Sequence, residues 1–260
     1  MWVIIWEALS QGLGTVALRR LQVAWSASAL GSWIFFVALA VYAYDAGGTT
    51  AVGAAALVRM VPAGLTAPLV GVVVDRCSRR DVLVATLLLR AGLVAAIAAA
   101  VAAKAPIGAV LALAALFTIA AAAHKPAQAA LLPALAQTPR QLGAANALWT
   151  GVDNAAFLAG SLAGGALLAT TSADVAFAVT ALLYGMAALP VAAIPRDSVP
   201  AYRVAPAHRG PLAATVAGFR GVAADGDVRL IVGFLTAATL VEGMIDVLVA
   251  TLLLRAGLVA

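Results

Sequence analysis

The sequence predicts an all-α polytopic membrane protein, a bundle of transmembrane helices. Three observations carry that fold class. First, 64% of the 260 residues are hydrophobic and only 10% are charged, against about 25% charged in a soluble domain. So small a polar complement cannot cover a water-facing surface. Second, the apolar residues lie in runs of about 20, the helix length that crosses roughly 30 Å of hydrocarbon. Third, most of the basic residues sit between those runs and crowd onto alternate connections, the bias that orients a membrane protein. These features exclude a soluble enzyme and a disordered chain. A single cysteine, Cys77, excludes an intrachain disulfide. The net charge of +5 comes without an aromatic-interleaved basic stretch, so no nucleic-acid partner is expected. Arginine outnumbers lysine 14 to 2 among the 16 basic residues. With abundant alanine, this points to a GC-rich genome and to a bacterial plasma membrane.

Residues 1–20 precede the first span. They lack the basic region and A-x-A site of a cleaved signal and read as a short interfacial helix bearing Trp2 and Trp6. Residues 21–194 hold six spans, expected at 22–43, 51–74, 82–103, 107–133, 142–169 and 174–194, each end good to about 2–4 residues. Trp25, Tyr42 and Tyr44 lie near span ends, as interfacial aromatics do, whereas Tyr184 falls mid-span. Residues 195–228 form a polar, Pro-rich connection followed by an amphipathic helix at 211–224 on the inner membrane face. Residues 229–260 contain a seventh span at 229–251. With the N-terminus cytoplasmic, the inner side collects twelve basic residues: Arg19, Arg20, Arg76, Arg79, Arg80, Lys125, Arg140 and five arginines between 196 and 229. The outer side holds only Lys104 and Arg255. That asymmetry orients the chain.

Residues 246–260 repeat residues 81–95 (DVLVATLLLRAGLVA) without a single difference. Structural repeats in transporters give weak similarity rather than identity. The copy therefore points to a rearranged or truncated gene, or an assembly error, in preference to a selected duplication.

Two motifs carry mechanism. Residues 71–80 read GVVVDRCSRR and lie between spans two and three. Gly71, Asp75, Arg76, Arg79 and Arg80 match the G-x-x-x-D-R/K-x-G-R-R/K signature, with Ser78 in the usual glycine position. This loop resembles that of the major facilitator superfamily, and its place on the cytoplasmic face after the second span agrees. The resemblance implies two six-helix halves, and here one half plus a seventh helix. It also implies that the charged cluster latches a cytoplasmic gate. Residues 156–165 (AFLAGSLAGG) are similar to the superfamily's antiporter motif G-x-x-x-G-P-x-x-G-G. Gly160, Gly164 and Gly165 fit, Ala156 replaces the first glycine and Ser161 replaces proline. Generic small-residue helix packing explains this stretch equally well. The segments at 126–133 and 144–148 also look like bacterial efflux members, so the resemblance favours an exporter.

Charges inside spans need a partner or a wet cavity, since each costs about 2.5–3.5 kcal/mol on insertion scales. Arg59 lies ~12 Å from the outer end of its span, Arg90 ~14 Å and Asp153 ~16 Å from the inner ends of theirs. Arg90 and Asp153 thus share a depth and could form a buried ion pair. Glu242 and Asp246, spaced i, i+4, share a face of the seventh helix. There a desolvated carboxylate could carry a proton, or the pair could simply face water at the outer mouth. Neither cofactor nor metal is expected, because His124 has no second ligand at suitable spacing.

The expected function is a secondary transporter exporting small amphipathic molecules, with a proton as coupling ion, by alternating access in the lipid bilayer. That mechanism needs a second half from another polypeptide or copy. The alternatives are a non-transporting remnant and an intramembrane enzyme, for which Ser161 and His124 make a poor pair.

Overall fold

A computed structural model describes residues 12–195, 211–238 and 241, leaving aside the side chains of residues 68, 69, 71–76, 211–215 and 219. The interfacial residues Trp2 and Trp6, the carboxylates Glu242 and Asp246, and the second copy of the repeat lie outside the described residues. The chain divides into two compact units, Met1–Ala205 and Pro206–Ala260.

The first unit is α1 (Val16–Arg76), α2 (Arg79–Ala102), α3 (Ile107–Ala122), α4 (His124–Leu135), α5 (Pro139–Thr170) and α6 (Ala173–Ala192). No strand occurs among the described residues. Among the described residues, five helical stretches are long and apolar enough to cross a membrane, with α3 and α4 counting as one. The fold is therefore the all-α membrane bundle expected. In the second unit, α7 (Pro211–Ala224) precedes a helix, α8, over 226–238. The sequence places an amphipathic helix at 211–224 and the start of a seventh span at 229.

The 61 residues of α1 would measure about 92 Å as a straight helix, three times the roughly 30 Å of a bilayer core. Instead the helix turns back at Gly47 and Gly48. Gly48 has φ +64° and ψ −158°, a region open essentially to glycine alone. Arg59 shows the consequence: its guanidinium carbon lies 3.4 Å from the Phe36 ring centroid, where a straight helix would separate the two by about 35 Å. Thus α1 supplies the first and second spans as a hairpin, its arms pivoting about equally far from Phe36 and Arg59. Gly48→Val is expected to open this hairpin and destabilise the protein by about 1–3 kcal/mol. Equilibrium unfolding in detergent checks this, and an unchanged midpoint contradicts it.

Two boundaries differ from expectation. The helix runs through Arg76, so the connection to α2 shrinks to Cys77 and Ser78. The apolar stretch Val72–Val74 continues the helix, and Ser78 then caps α2 by accepting from the Asp81 amide at 3.5 Å. The fourth span breaks at Ala123 into α3 and α4. Pro126 has no amide hydrogen to return to Ala122, so the hydrogen-bond ladder is interrupted there. At the start of α5, Thr138 Oγ1 accepts from the Gln141 amide at 3.2 Å, and Gln141 Oε1 accepts from the Gln137 amide at 2.8 Å. Pro139 occupies the first turn, where its missing donor costs nothing.

Within the unit, α1 packs on α3, α5 and α6, while α2 packs on α3, α4 and α6. The centre is aromatic: Phe35 lies 4.3 Å from Phe117 and 5.7 Å from Phe177 between ring centroids. Leu57, Leu65, Leu158, Leu162, Leu182 and Leu189 point outward, the arrangement of a bundle whose solvent is lipid. Small residues set the closest approach. At Gly160 a Cβ would lie 2.6 Å from Trp33 Cβ and 3.0 Å from the Leu30 carbonyl oxygen. At Gly164 it would lie 3.1 Å from Val37 Cβ. Both glycines hold α5 against the first arm of α1.

The turn after α2 is a helix-ending motif with an unusual residue. Ala105 donates to Ala100 O and Lys104 to Val101 O, both at 2.9 Å, and Lys104 takes φ +53°. Glycine normally fills that left-handed position. Lys104→Gly is expected to stabilise the protein by about 0.5–1 kcal/mol through relief of the Cβ strain. A lower unfolding midpoint would contradict this.

Candidate functional site

Arg90 sits on the buried face of α2, in line with Leu83, Thr86, Leu87, Val94 and Ile97, a helical i, i+3/i+4 progression. Its helix therefore carries it to the interior, 5% exposed. There Nη2 donates to Ser32 Oγ at 2.9 Å and to Tyr184 OH at 2.6 Å. Ser32 Oγ donates to the Ser28 carbonyl at 2.8 Å. That uses its one proton, so across the 3.0 Å contact Tyr184 OH donates to Ser32. The guanidinium also stacks on aromatic faces, 4.0 Å from the Tyr184 centroid and 5.1 Å from Phe117. These cation–π contacts and neutral acceptors hold the charge without a carboxylate.

Asp153 therefore is not the partner of Arg90. The one ion pair among the described residues joins Arg80 to its neighbour Asp81. Asp153 instead lies near Lys125 and the indole N–H groups of Trp25 and Trp149, although Trp25 Nε1 makes no well-aligned hydrogen bond. Depth along a helix axis matched Arg90 to Asp153, and both line the same cavity, but α2 packs on α3, α4 and α6 and not on α5.

His124 opens α4 beside this cluster. Its ring stacks on Trp25 with centroids 5.7 Å apart and planes 12° from parallel. Its Nδ1 lies 3.4 Å from Thr86 Oγ1, whose proton goes to the Leu83 carbonyl at 3.0 Å. Nδ1 is thus the donor, and Nε2 is left as an acceptor with no partner among the described residues. Lys125 Nζ lies 6.0 Å from the Trp25 ring.

These two clusters wall one cavity of about 510 Å³ within the six-span unit. Trp25, Trp33, Phe36, Phe117 and Phe157 give it aromatic sides. Arg59, Arg90, Lys125, His124 and Asp153 supply its ionisable groups, and Ser28, Ser32, Thr118 and Asn154 its neutral polar ones. Apolar walls with a few convergent polar groups are what a small-molecule site requires. No group of three or more potential metal ligands occurs among the described residues.

The family model of the Major Facilitator Superfamily matches residues 23–258. The chain belongs to the major facilitator superfamily. No curated protein and no solved structure matches it. Membership makes the chain a multi-pass membrane protein of a secondary-transporter family, whose members are transporters and not enzymes.

The superfamily's loop signature is only partly visible. Gly71, Asp75 and Arg76 end α1 with their side chains not described, so among the matching residues side-chain contacts are given for Arg79 and Arg80. Arg79 Nη1 donates to the Ala130 carbonyl of α4 at 2.9 Å. Arg80 Nε donates to the Ile194 carbonyl at 2.7 Å, its Nη2 to the Ala192 carbonyl and its Nη1 to Asp81 Oδ1 at 2.5 Å. Arg20 donates to the Ala193 carbonyl. Two arginines thus cap the carboxyl end of α6, where unsatisfied carbonyls and the negative end of the helix dipole favour cations. Sequence reasoning missed this clamp. Its signal was a helix running into Pro195 with no capping residue of its own.

Of the antiporter-like positions, Gly160 and Gly164 make the helix contact described above. Gly165 faces open space, with nothing within 4 Å of its would-be Cβ. Ser161 lies on the same helix without a place in the cavity wall.

Proposed function

We propose that this superfamily member exports small amphipathic molecules by alternating access, with the six-span unit providing one half and the described cavity its share of the substrate site. The observation that carries this reading is the cavity itself: aromatic on its sides and lined by charges carried on the apolar helices, which pay a steep desolvation cost in a purely structural bundle. A second half facing the cavity completes the mechanism. Arg20, Arg80 and the end of α6 meet at one end of the unit, which supports placing all three on a common, cytoplasmic side of a bacterial plasma membrane. In this reading Asp75 and the following arginines latch the cytoplasmic gate, and Glu242 carries the coupling proton.

The test is accumulation of a fluorescent amphipathic dye in cells expressing the chain. Lower accumulation that a protonophore reverses is the expected result. Accumulation equal to that of cells without the protein contradicts export. Asp75→Asn is expected to abolish export while leaving the amount of inserted protein unchanged. Glu242→Gln is expected to leave binding intact but remove the dependence on a pH gradient.

A further inference from the structure

Four buried side-chain polar atoms lack a partner among the described residues, and three of them belong to cavity-lining residues: Arg90 Nε, Trp25 Nε1 and His124 Nε2. Buried donors are ordinarily satisfied. Two of these atoms, on Arg90 and Trp25, can only donate. The Trp25 indole has the Asp153 carboxylate nearby, whereas Arg90 Nε calls for an acceptor that the described residues do not provide.

The charges of the wall point the same way. Arg59, Arg90 and Lys125 set three cations against one carboxylate, Asp153. Asp153 makes no ion pair with any of the three. Arg59 rests on the Phe36 ring and Arg90 on Tyr184, Ser32 and Phe117, so both guanidinium groups keep an uncompensated charge. An aromatic face holds a guanidinium in place without neutralising it. His124 beside them is placed to donate through Nδ1 only.

We propose that the cavity selects organic anions: a flat apolar body against Trp33, Phe36 and Phe157, with a carboxylate or sulfonate headgroup held by Arg59 and Arg90. Guanidinium groups suit such headgroups because their planar N–H forks match two anionic oxygens. This proposal rests on the transport reading and names the substrate class for it.

The test compares three probes that share a naphthyl body by isothermal titration calorimetry on the full chain in a neutral detergent: naphthalene-2-sulfonate, naphthalene-2-methanol and 2-naphthylmethylammonium. The sulfonate is expected to bind saturably and at least about tenfold more tightly than either analogue, since a single uncompensated charge in this setting decides that much. Arg59→Gln, which breaks no hydrogen bond among the described residues, is expected to weaken sulfonate binding about tenfold or more. Asp153→Asn is expected to strengthen it. Saturable binding of the alcohol or the cation equal to that of the sulfonate would overturn the anion proposal while leaving a substrate cavity in place. Unchanged sulfonate affinity in Arg59→Gln, or no saturable heat with any probe, would also overturn it. Export itself is judged separately by dye accumulation, so the two readings fail independently.

Discussion

Gly160→Leu is expected to destabilise the six-span unit more severely than Gly48→Val. A methyl alone would approach Trp33 Cβ to 2.6 Å and the Leu30 carbonyl to 3.0 Å. The first neighbour is the root of a side chain and the second is backbone, so neither can swing aside. The helices must separate. Overpacking of this kind costs about 1–3 kcal/mol for small insertions, and Leu adds three further carbons. Helix separation would also displace Trp33 and Phe157, which touch edge-to-face at 4.7 Å, so the cavity would lose a wall. Gly165→Ala provides the contrast. Nothing lies within 4 Å there, and the gain in helix propensity is about 0.8–1.0 kcal/mol. Unfolding midpoints in detergent should therefore move in opposite directions at Gly160 and Gly165. Movement in the same direction would mean that the motif glycines act through something other than this packing.

Arg90→Met is expected to abolish anion binding while leaving stability unchanged or higher. The substitution removes a charge whose placement in a span costs about 2.5–3.5 kcal/mol on insertion scales. It leaves no new orphan at the hydroxyls, because Tyr184 and Ser32 still bond each other at 3.0 Å. Met also preserves much of the volume between Phe117 and Tyr184. Replacing buried charge by a hydrophobic residue of similar size is often neutral or stabilising by about 1–4 kcal/mol. The pairing of a stability gain with a functional loss identifies a residue kept for its chemistry. A loss of more than about 3 kcal/mol, the cost of breaking a buried charge pair, would instead make Arg90 an architectural element.

Much of the fold was legible in the sequence because bilayers restrict the choices. Apolar run length alone implied the all-α bundle, and helical periodicity on α2 turns Arg90 inward. The hairpin in α1 corresponds to two apolar runs on either side of Gly47 and Gly48. The rest required three dimensions. Residue counts give depth but not which helices are neighbours, so Asp153 looked like the partner of Arg90 while the true partners, Ser32 and Tyr184, are uncharged. Tyr184 carries no signal of its own, because a mid-span aromatic is neither interfacial nor charged. The capping role of Arg20 and Arg80 was hidden because loop arginines are already explained by topology. The glycines of α5 divided into contact and open positions only once Trp33 and Leu30 were seen opposite them.

The central claim is that the cavity opens alternately to the two sides of the membrane. It is tested most directly by cysteine accessibility at Asn154, an exposed cavity residue, in a background where the exposed Cys77 is replaced by serine. Asn154→Cys is labelled with a membrane-impermeant maleimide from each side of sealed vesicles of both orientations. Alternating access predicts labelling from both sides, with naphthalene-2-sulfonate slowing it from each. Labelling confined to one side under every condition would contradict the account.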